Sequence, residues 1–239
     1  MTINTQNVRD IALENPASIR VFEAFGIDYC CGGRKPLAQA CAERDIAVDD
    51  VIEALEKGLA EGQVEGEDWT AKPLGLLVAH IVDTHHAYVR RELPRLAELA
   101  QKVVNRHGDT KPELPEIQKK VEQIAEDLTE HLAKEEAVLF PYIAKLERAK
   151  ENGSDKPRGC FGTVANPIAM MTQEHDAAGV LLGEMRQLSN DFTPPVGACP
   201  TFLAFYRGLY EFEQDLHQHI HLENNILFPK AIELEGAVV

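Results

Sequence analysis

The sequence lacks any long apolar segment. No run approaches the roughly 20 consecutive apolar residues that a helix needs to span a bilayer. The first ten residues, MTINTQNVRD, also lack the basic and apolar regions of a signal peptide. We therefore expect a cytoplasmic protein that does not use a membrane as a partner.

The sequence is also poor in positive charge. It has 24 Lys and Arg residues against 39 Asp and Glu residues, which gives a formal net charge of −15. A protein that binds nucleic acid needs a basic surface to contact phosphates. We therefore expect no nucleic acid partner, and the acidic excess favours either solubility or transient association with cations.

The five cysteines do not make an even set, and Cys30 and Cys31 are adjacent. A disulfide between neighbouring residues is strained, so a secreted disulfide framework is not expected. Reduced thiols in a reducing compartment fit this pattern better.

What the sequence does contain is an internal duplication. Residues 131–141 read HLAKEEAVLFP, and residues 219–229 read HIHLENNILFP. Each copy has a His, a Glu four residues later, and Leu-Phe-Pro beginning eight residues after the His. Residues four apart lie on the same face of a helix, so each His and Glu can point to one inward position. These pairs are His131 with Glu135 and His219 with Glu223.

An upstream His stands at nearly the same distance before each copy. His86 precedes His131 by 45 residues, and His175 precedes His219 by 44. A helix, a loop and a returning antiparallel helix fit in such an interval, and they would bring each upstream His beside its copy in a four-helix bundle. His85 is adjacent to His86, but only one of the two can face a given metal, and the matching offset favours His86.

The converging residues describe a two-metal site in the core of the bundle. The predicted ligands are His86, His131, Glu135, His175, His219 and Glu223. Imidazole with carboxylate suits iron, manganese or zinc better than metals that prefer thiolates, and two carboxylates near the bundle axis can bridge a pair of ions. Iron is the preferred interpretation. The alternative is a set of ordinary core or surface histidines, which the duplicated pattern disfavours.

Acidic residues near these positions are candidates for orienting the ligands. Asp127 and Asp215 each lie four residues before the first His of a copy, and a metal-bound imidazole usually donates its second nitrogen to such a group. Glu174 directly precedes an upstream His and is a further candidate for handling a cation. A solvated acid is the alternative for all three, and Glu136 is expected on the solvated surface.

A turn with the sequence DYCCGGRKP carries the adjacent cysteines near the N-terminus. Gly32 and Gly33 permit backbone conformations that other residues resist, so the thiols can lie on an exposed turn. Exposure beside Arg34 and Lys35 would favour the reactive thiolate. From these residues alone, burial of the cysteines as small hydrophobic side chains is an equal alternative.

The helical patterns divide the chain into two predicted domains of an all-α protein. A small helical domain is expected over residues 1–62, and a four-helix bundle over residues 70–239. A stretch without sustained periodicity separates them, which predicts a boundary near residue 65. Within the bundle, Pro141 should kink or end the helix that carries Glu135, because proline removes a backbone hydrogen bond.

The two His-x-x-x-Glu-x-x-x-Leu-Phe-Pro segments with their upstream His residues resemble a hemerythrin-like di-iron domain. Joined to YCCGG at 29–33, they resemble the iron-sulfur cluster repair di-iron family over nearly the whole chain. The resemblance implies a hemerythrin-like bundle, two iron ions in a non-haem centre that is oxo-bridged when oxidised, and a functional role for Cys30 and Cys31. Oxygen-carrying hemerythrins typically supply a fifth His, whereas this sequence has Gly179 four residues after His175. One iron should therefore keep open coordination positions.

The resemblance implies iron donation to iron-sulfur clusters damaged by nitrosative or oxidative stress. Damaged iron-sulfur proteins would be the partners, and the two cysteines would relay iron or contact the acceptor. A second hypothesis is enzymatic, with two ferrous ions reducing nitric oxide to nitrous oxide. A third is a sensor of oxygen or nitric oxide, which the missing fifth His weakens, and a purely structural bundle is the fourth. Nitric oxide and dioxygen are the expected small ligands, and a homodimer stays open.

Overall fold

Helices make up most of the part of the chain that the structure describes. A computed structural model describes residues 3–60 and 68–238. No strand occurs in those residues, which confirms the all-α fold class. Among them, no helix combines the length and the apolar character that a bilayer crossing needs. The boundary near residue 65 lies outside the described residues, so the division into 1–62 and 70–239 stays a prediction.

The chain forms two compact units. The first comprises Met1–Pro73 with His217–Lys230, and the second comprises Leu74–Leu216 with Ala231–Val239. After a 3-10 turn at Ile3–Thr5, the N-terminal part of the first unit contains helices α1 (Val8–Glu14), α2 (Ser18–Phe25), α3 (Leu37–Ala42) and α4 (Val48–Ala60).

These short helices enclose an apolar core of their own. Its buried members include Val8, Ile11, Phe22, Ile27, Tyr29, Leu37, Val51 and Leu55. Helix α2 ends at Gly26, whose φ of 63° lies in the left-handed region that glycine adopts without strain. Helix α3 follows Pro36 directly, because proline is tolerated where a helix begins. Glycine after a helix and proline before one are both typical of helix boundaries.

The remaining helices lie mainly in the second unit, and parts of the last two belong to the first. They are α5 (Leu74–His80), α6 (Ala87–His107), α7 (Glu113–Lys134), α8 (Phe140–Asn152), α9 (Ala165–Leu188), α10 (Pro200–His221) and α11 (Phe228–Ala237). Helix α7 packs against α6 and α9. The buried positions of α6 recur every three or four residues, as in a helix with one apolar face: Val89, Leu93, Leu96, Ala100 and Val103.

Distant carboxylates hold the starts of α5 and α9 within the second unit. Glu147 accepts hydrogen bonds from the backbone N–H groups of Leu74 at 2.6 Å and Gly75 at 2.8 Å. Glu235 accepts one at 3.0 Å from Val164, the residue that precedes α9. The first N–H groups of a helix have no partner within the helix and carry partial positive charge. The two carboxylates therefore fix the beginnings of the helical stretches that lead to His86 and His175.

Candidate metal centre

π-helical turns interrupt three of the four helical stretches that carry the predicted ligands. They span Ile81–His86, Glu135–Leu139 and Leu222–Leu227. In the last two, the backbone N–H of Phe140 or Phe228 donates to the carbonyl of the Glu five residues earlier. Such turns are rare and occur frequently at functional sites. Each of them contains at least one predicted ligand.

The proline after each of these Phe residues fits the altered hydrogen bonding. Pro141 has no N–H, so it cannot form the α-helical bond to the residue four positions earlier. The helical path nevertheless continues beyond Pro141 through α8. The helix therefore does not end at Pro141, because the π-helical turn accommodates the missing hydrogen bond, and a kink there stays a prediction.

Within the second unit, Glu135 lies close to two imidazoles from different helical stretches. Its Oε2 atom is 3.4 Å from Nε2 of His86 and 3.4 Å from Nε2 of His131. The Nε2 atom of His175 lies 3.0 Å from Nε2 of His131. All four side chains are at most 1% exposed. Nitrogen and oxygen donors from three parts of the chain therefore converge in a buried position.

The remaining predicted pair follows the same pattern one turn apart. Nε2 of His219 lies 3.1 Å from Oε1 of Glu223, and both side chains are buried. Two groups of four side chains have ligand atoms that all lie within 4.8 Å of one another: His86, Glu135, His219 and Glu223 in one, and His131, Glu135, His175 and Glu223 in the other. Both carboxylates belong to both groups.

The chemistry of these donors fits a metal such as iron. Each group offers two imidazole nitrogens and two carboxylates, a set that suits iron, manganese and zinc and contains no thiolate. Ionised carboxylates are costly to bury unless a cation or hydrogen-bond donors compensate them. A buried metal ion supplies that compensation, so the two groups form a candidate metal centre.

The adjacent cysteines lie on a turn that folds around one carboxylate. Asp28 Oδ1 accepts the backbone N–H of Cys30 at 2.9 Å and of Cys31 at 3.0 Å, and its Oδ2 accepts that of Gly32 at 2.8 Å. The Sγ atom of Cys30 is 3.5 Å from that of Cys31 and 3.3 Å from Asp28 Oδ1. We refer to Asp28–Gly32 as the cysteine turn.

Tyr29 anchors the cysteine turn within the first unit. Its side chain is fully buried, its hydroxyl donates to Glu23 at 2.9 Å, and its ring centroid lies 5.4 Å from that of His221. Asn225 Nδ2 donates to the Tyr29 carbonyl at 3.2 Å and lies 2.9 Å from Nδ1 of His221. Burial lowers the pKa of His221 to about 4, so its neutral ring can accept from Asn225 at neutral pH. The helical segment with His219 and Glu223 thus also supports the cysteine turn.

The sequence matches two protein-family models. Residues 77–231 match the Hemerythrin HHE cation binding domain, which spans more than half of the chain. The chain belongs to the hemerythrin HHE family. Residues 4–58 match a second model, described as a Domain of Unknown function (DUF542), and that match includes the cysteine turn.

Relatives of this hemerythrin HHE protein match along nearly its whole length. An iron-sulfur cluster repair protein YtfE from Yersinia pseudotuberculosis (serotype O:1b, strain IP 31758) is 38% identical over 239 residues, which cover 98% of this chain and 100% of the relative. Proteins of the same name from Escherichia coli O81 (strain ED1a) and Escherichia fergusonii are each 39% identical over 233 residues, covering 97% of this chain and 99% of each relative. The resemblance to the iron-sulfur cluster repair family is confirmed.

Two acids orient imidazoles of this hemerythrin HHE protein. Nδ1 of His86 lies 2.6 Å from Glu136 Oε1, and Nδ1 of His131 lies 2.8 Å from Glu174 Oε2. A carboxylate accepts the Nδ1 proton and leaves Nε2 facing Glu135 with a lone pair. Burial raises the pKa of Glu136, but hydrogen bonds from His86 and Arg90 outweigh it and hold that pKa below its ordinary value. Both acids therefore fix the tautomer that a metal requires.

The sequence named Glu174 as a candidate near the site, but it also pointed to Asp127 and Asp215 and placed Glu136 on the solvated surface. Asp127 accepts from Gln123 on an exposed surface, and Asp215 lies 3.0 Å from Nδ1 of His85. Neither therefore orients the His that follows it, and Glu136 is not the solvated residue that was expected. The signal that would have found the true partners is adjacency, since each of these acids directly neighbours one predicted ligand and contacts an imidazole on another helical stretch.

The expectation of an exposed thiolate is wrong for Cys30. Its side chain is buried, and the hydrogen bond with Cys31, burial and the negative charge of Asp28 raise the pKa of the Cys30 thiol well above its ordinary value. Lys35, one of the two cations expected to lower it, pairs with Glu43 at 2.5 Å. Cys31 is half-buried. The turn therefore presents a protonated thiol beside a carboxylate.

Proposed function

We propose that this chain is an iron-sulfur cluster repair protein that holds two iron ions and donates iron to damaged clusters. The six predicted side chains would hold the ions, and Cys30 and Cys31 would relay iron or contact the acceptor. The relatives named as iron-sulfur cluster repair proteins support the repair function, because the similarity covers at least 97% of this chain. They do not contribute the mechanism, which is part of the proposal.

The shared carboxylates carry the proposal of two ions. Glu135 and Glu223 each belong to both groups of converging side chains, whereas each His belongs to one. Carboxylates in the core of a helical bundle commonly bridge a pair of metal ions. His86 and His219 would complete one ion's protein ligands, and His131 and His175 the other's. When bound, ferrous iron supplies the exchangeable metal that a depleted cluster requires.

The cysteine turn supports a path for iron out of the centre. Asn225 lies two residues after Glu223 and donates to the carbonyl of Tyr29, within the first unit. One helical segment therefore carries both Glu223, where the proposed path begins, and Asn225, which contacts the turn with the thiols where the path ends. Thiolates also suit iron-sulfur chemistry better than His and Glu do, so a step through Cys30 and Cys31 matches the acceptor's ligands.

The clients would be iron-sulfur proteins whose clusters nitrosative or oxidative stress has damaged. A cytoplasmic site of action belongs to the same proposal, because a relay through Cys30 and Cys31 needs reduced thiols. None of the five cysteines, each of which lies in the described residues, forms a disulfide bond. The proposed function does not require a particular oligomeric state.

Reactivation of a damaged dehydratase tests the proposal directly. The iron-loaded chain is incubated anaerobically with a dehydratase whose cluster has lost iron, and recovered activity is measured against time. We expect recovery with the native chain, no recovery with Glu135→Ala, and unchanged recovery with the exposed control Glu126→Ala. Recovery that is equal for all three would contradict donation from the centre. Full recovery by a chain with both Cys30→Ala and Cys31→Ala would exclude the relay.

Reduction of nitric oxide is a second candidate function, because the shared carboxylates would place two ions close together. The residue four positions after His175 is Gly179, which has no side chain to act as a further ligand. A small ligand such as nitric oxide could then reach an ion. Anaerobic exposure of the ferrous protein to nitric oxide, followed by gas analysis, separates the candidates: nitrous oxide supports reduction, and a stable nitrosyl adduct without product removes it.

A further inference from the structure

The cysteine turn has the composition and geometry of a metal site of its own. One ligand atom from each of Asp28, Cys30 and Cys31 lies within 4.8 Å of the others. The two Sγ atoms are 3.5 Å apart, and Cys30 Sγ is 3.3 Å from the Asp28 carboxylate. Two sulfurs and a carboxylate oxygen therefore converge on one side of a five-residue turn.

We propose that Asp28, Cys30 and Cys31 bind a single divalent transition-metal ion, separately from the His/Glu centre. This inference rests on the proposed function, in which the ion would be iron in transit to a client. The donor set differs in kind from that of the centre, because thiolates select softer or borderline ions such as Fe²⁺, Co²⁺ and Zn²⁺. Three protein ligands also leave open positions, which transfer to an acceptor would need.

The backbone of the turn explains why adjacent cysteines can share an ion. Adjacent side chains in regular structure point in different directions, about 100° apart on a helix and to opposite faces on a strand. Here the Asp28 carboxylate accepts three successive N–H groups, from Cys30, Cys31 and Gly32. The curvature that this imposes brings both thiols to the same side of the turn.

The two glycines after the cysteines are needed for the same curvature. A Cβ atom on Gly33 would lie 2.6 Å from the carbonyl oxygen of Tyr29, and one on Gly32 would lie 2.8 Å from Asp28 Oδ2. Both distances are shorter than a real Cβ contact, and the first involves backbone that cannot rotate away. The sequence Cys-Cys-Gly-Gly therefore closes the turn tightly over Asp28.

The surroundings hold this arrangement in place before an ion arrives. Tyr29, between Asp28 and Cys30, is fully buried, and its backbone and ring are fixed by Asn225 and His221. A site whose ligands are already oriented loses less conformational entropy on binding. On binding, each cysteine releases its thiol proton to solvent and forms a metal–sulfur bond. The two negative thiolates then balance the charge of the divalent ion.

Cobalt titration of the iron-loaded full chain tests the site. Under anaerobic conditions, Co²⁺ is added to the native protein, and thiolate-to-cobalt charge-transfer absorption is followed in the near ultraviolet. We expect a single further Co²⁺ per chain with this absorption, while the iron content stays constant. Cys31→Ser should abolish the absorption. Asp28→Asn should weaken binding by at least about 10-fold, the lower end of the range for groups that only support metal ligands, because Asp28 is proposed as a ligand itself.

Two cysteines outside the turn supply the matched controls. Cys160 is exposed, and Cys199 is half-buried beside His107, with 3.4 Å between Cys199 Sγ and His107 Nε2. Cys160→Ser and Cys199→Ser should leave the absorption unchanged. Absence of the band from the native protein, its survival in Cys31→Ser, or its loss in Cys199→Ser would each overturn the proposal. Circular dichroism and iron content show whether Cys31→Ser still folds, and Cys30→Ser gives an independent variant of the same site.

The outcome is separable from that of the proposed function. If the dehydratase is not reactivated but the cobalt band appears and depends on Cys31, the turn binds metal and donation fails. If reactivation succeeds and the native chain shows no cobalt band, the function stands and the metal site at the cysteine turn is rejected.

Discussion

The two copies of the repeated segment share their predicted metal ligands and differ at the positions beside them. In both, the first His is followed by a Glu after four residues, by Leu-Phe-Pro, and by another Glu after 16 residues. Those last residues are Glu147 and Glu235, which hold the starts of α5 and α9. Among the positions that differ, Ala133, Glu136 and Ala137 in the first copy correspond to His221, Asn224 and Asn225 in the second.

The diverged positions have different partners. In the first copy, Glu136 accepts a hydrogen bond from His86 and orients a predicted ligand. In the second copy, His221 and Asn225 contact Tyr29 and support the cysteine turn. A duplicated scaffold thus keeps what the metal centre requires and varies what surrounds it. The second copy therefore combines predicted ligand positions with support for the thiols.

Removing a shared carboxylate should give the largest effect on the molecule. Glu135→Ala and Glu223→Ala each delete a predicted ligand from both groups of converging side chains. We expect each variant to lose most of its bound iron, and the two losses to be similar because the copies contribute equally. Metal analysis of freshly purified protein measures this.

The exposed Glu126 provides the control for those variants. Its carboxylate lies on the solvated surface of α7, so Glu126→Ala should retain the native iron content. A full iron complement in either Glu135→Ala or Glu223→Ala would contradict a shared role. Loss in only one of them would show that the copies are unequal at the centre itself.

The second-largest expected effect concerns Glu136, a position at which the two copies differ. Glu136→Gln keeps the size of the side chain and removes the charge that fixes the Nδ1 proton of His86. We expect iron affinity to fall by about 10- to 100-fold, because groups that orient metal ligands have effects of that size. Competition with a chelator of known affinity measures it. Unchanged affinity would mean that Glu136 serves only its ion pair with Arg90, which has a 2.8 Å separation.

Much of the architecture could be predicted from residue spacing. Ligand candidates on one helix face follow from the period of the α-helix, so the His-x-x-x-Glu pairs were visible, and the matching intervals favoured His86 over His85. The structure places His86 Nε2 near Glu135 and pairs His85 with Asp215. The fold class and the family resemblance are confirmed, and the roles of the six ligands stay predictions.

The errors concern features that depend on contacts between distant segments. Glu136 meets His86 across 50 positions of sequence, and Glu174 meets His131 across 43, so helical spacing alone could not pair them. Two of the three π-helical turns are followed by Phe-Pro in the sequence, and the turn at Ile81–His86 is not. Cys30 is buried because the turn curves around the Asp28 carboxylate, which accepts the Cys30 N–H. The prediction of an exposed thiolate gave weight to the neighbouring basic residues and did not consider this local hydrogen bond.

Position 225 tests the support of the cysteine turn. Asn225→Ala introduces the residue that the first copy has at the corresponding position, Ala137. It removes the donor to the buried carbonyl of Tyr29, which should lower the free energy of unfolding by about 1–3 kcal/mol. We also expect Cys30 to react faster with a thiol reagent, while iron content is retained. Urea unfolding, thiol kinetics and metal analysis check the three outcomes.

Ala137→Asn is the reciprocal variant, and it should leave Cys30 reactivity unchanged because Ala137 lies on an exposed face of the first copy. If Asn225→Ala loses iron without changing the reactivity of Cys30, the position serves the centre rather than the turn. The difference between the copies would then lie in the ligands and not in their surroundings.

The smallest expected effect concerns the two carboxylates that accept hydrogen bonds at the starts of α5 and α9. Glu147→Gln and Glu235→Gln each replace a charged acceptor with a neutral one at a helix start. Hydrogen bonds to charged groups and the partial charge of the helix terminus are together worth about 1–3 kcal/mol. We expect similar decreases in the free energy of unfolding at neutral pH, measured by urea denaturation. Clearly unequal decreases would show that the duplication does not extend to this contact.

Acidification then tests Glu235 alone. Burial raises its pKa, but hydrogen bonds from Tyr142, the Val164 N–H and Thr163 outweigh burial, so the pKa of Glu235 in the folded protein lies below its ordinary value. The unfolded chain therefore takes up this proton first as pH falls below the ordinary Glu value of about 4.3. The stabilisation is complete above that pH and is lost as pH falls through the folded pKa. Because Glu235→Gln has no such proton to bind, the gap in unfolding free energy between it and the native chain should narrow on acidification, and a constant or widening gap would contradict the assignment.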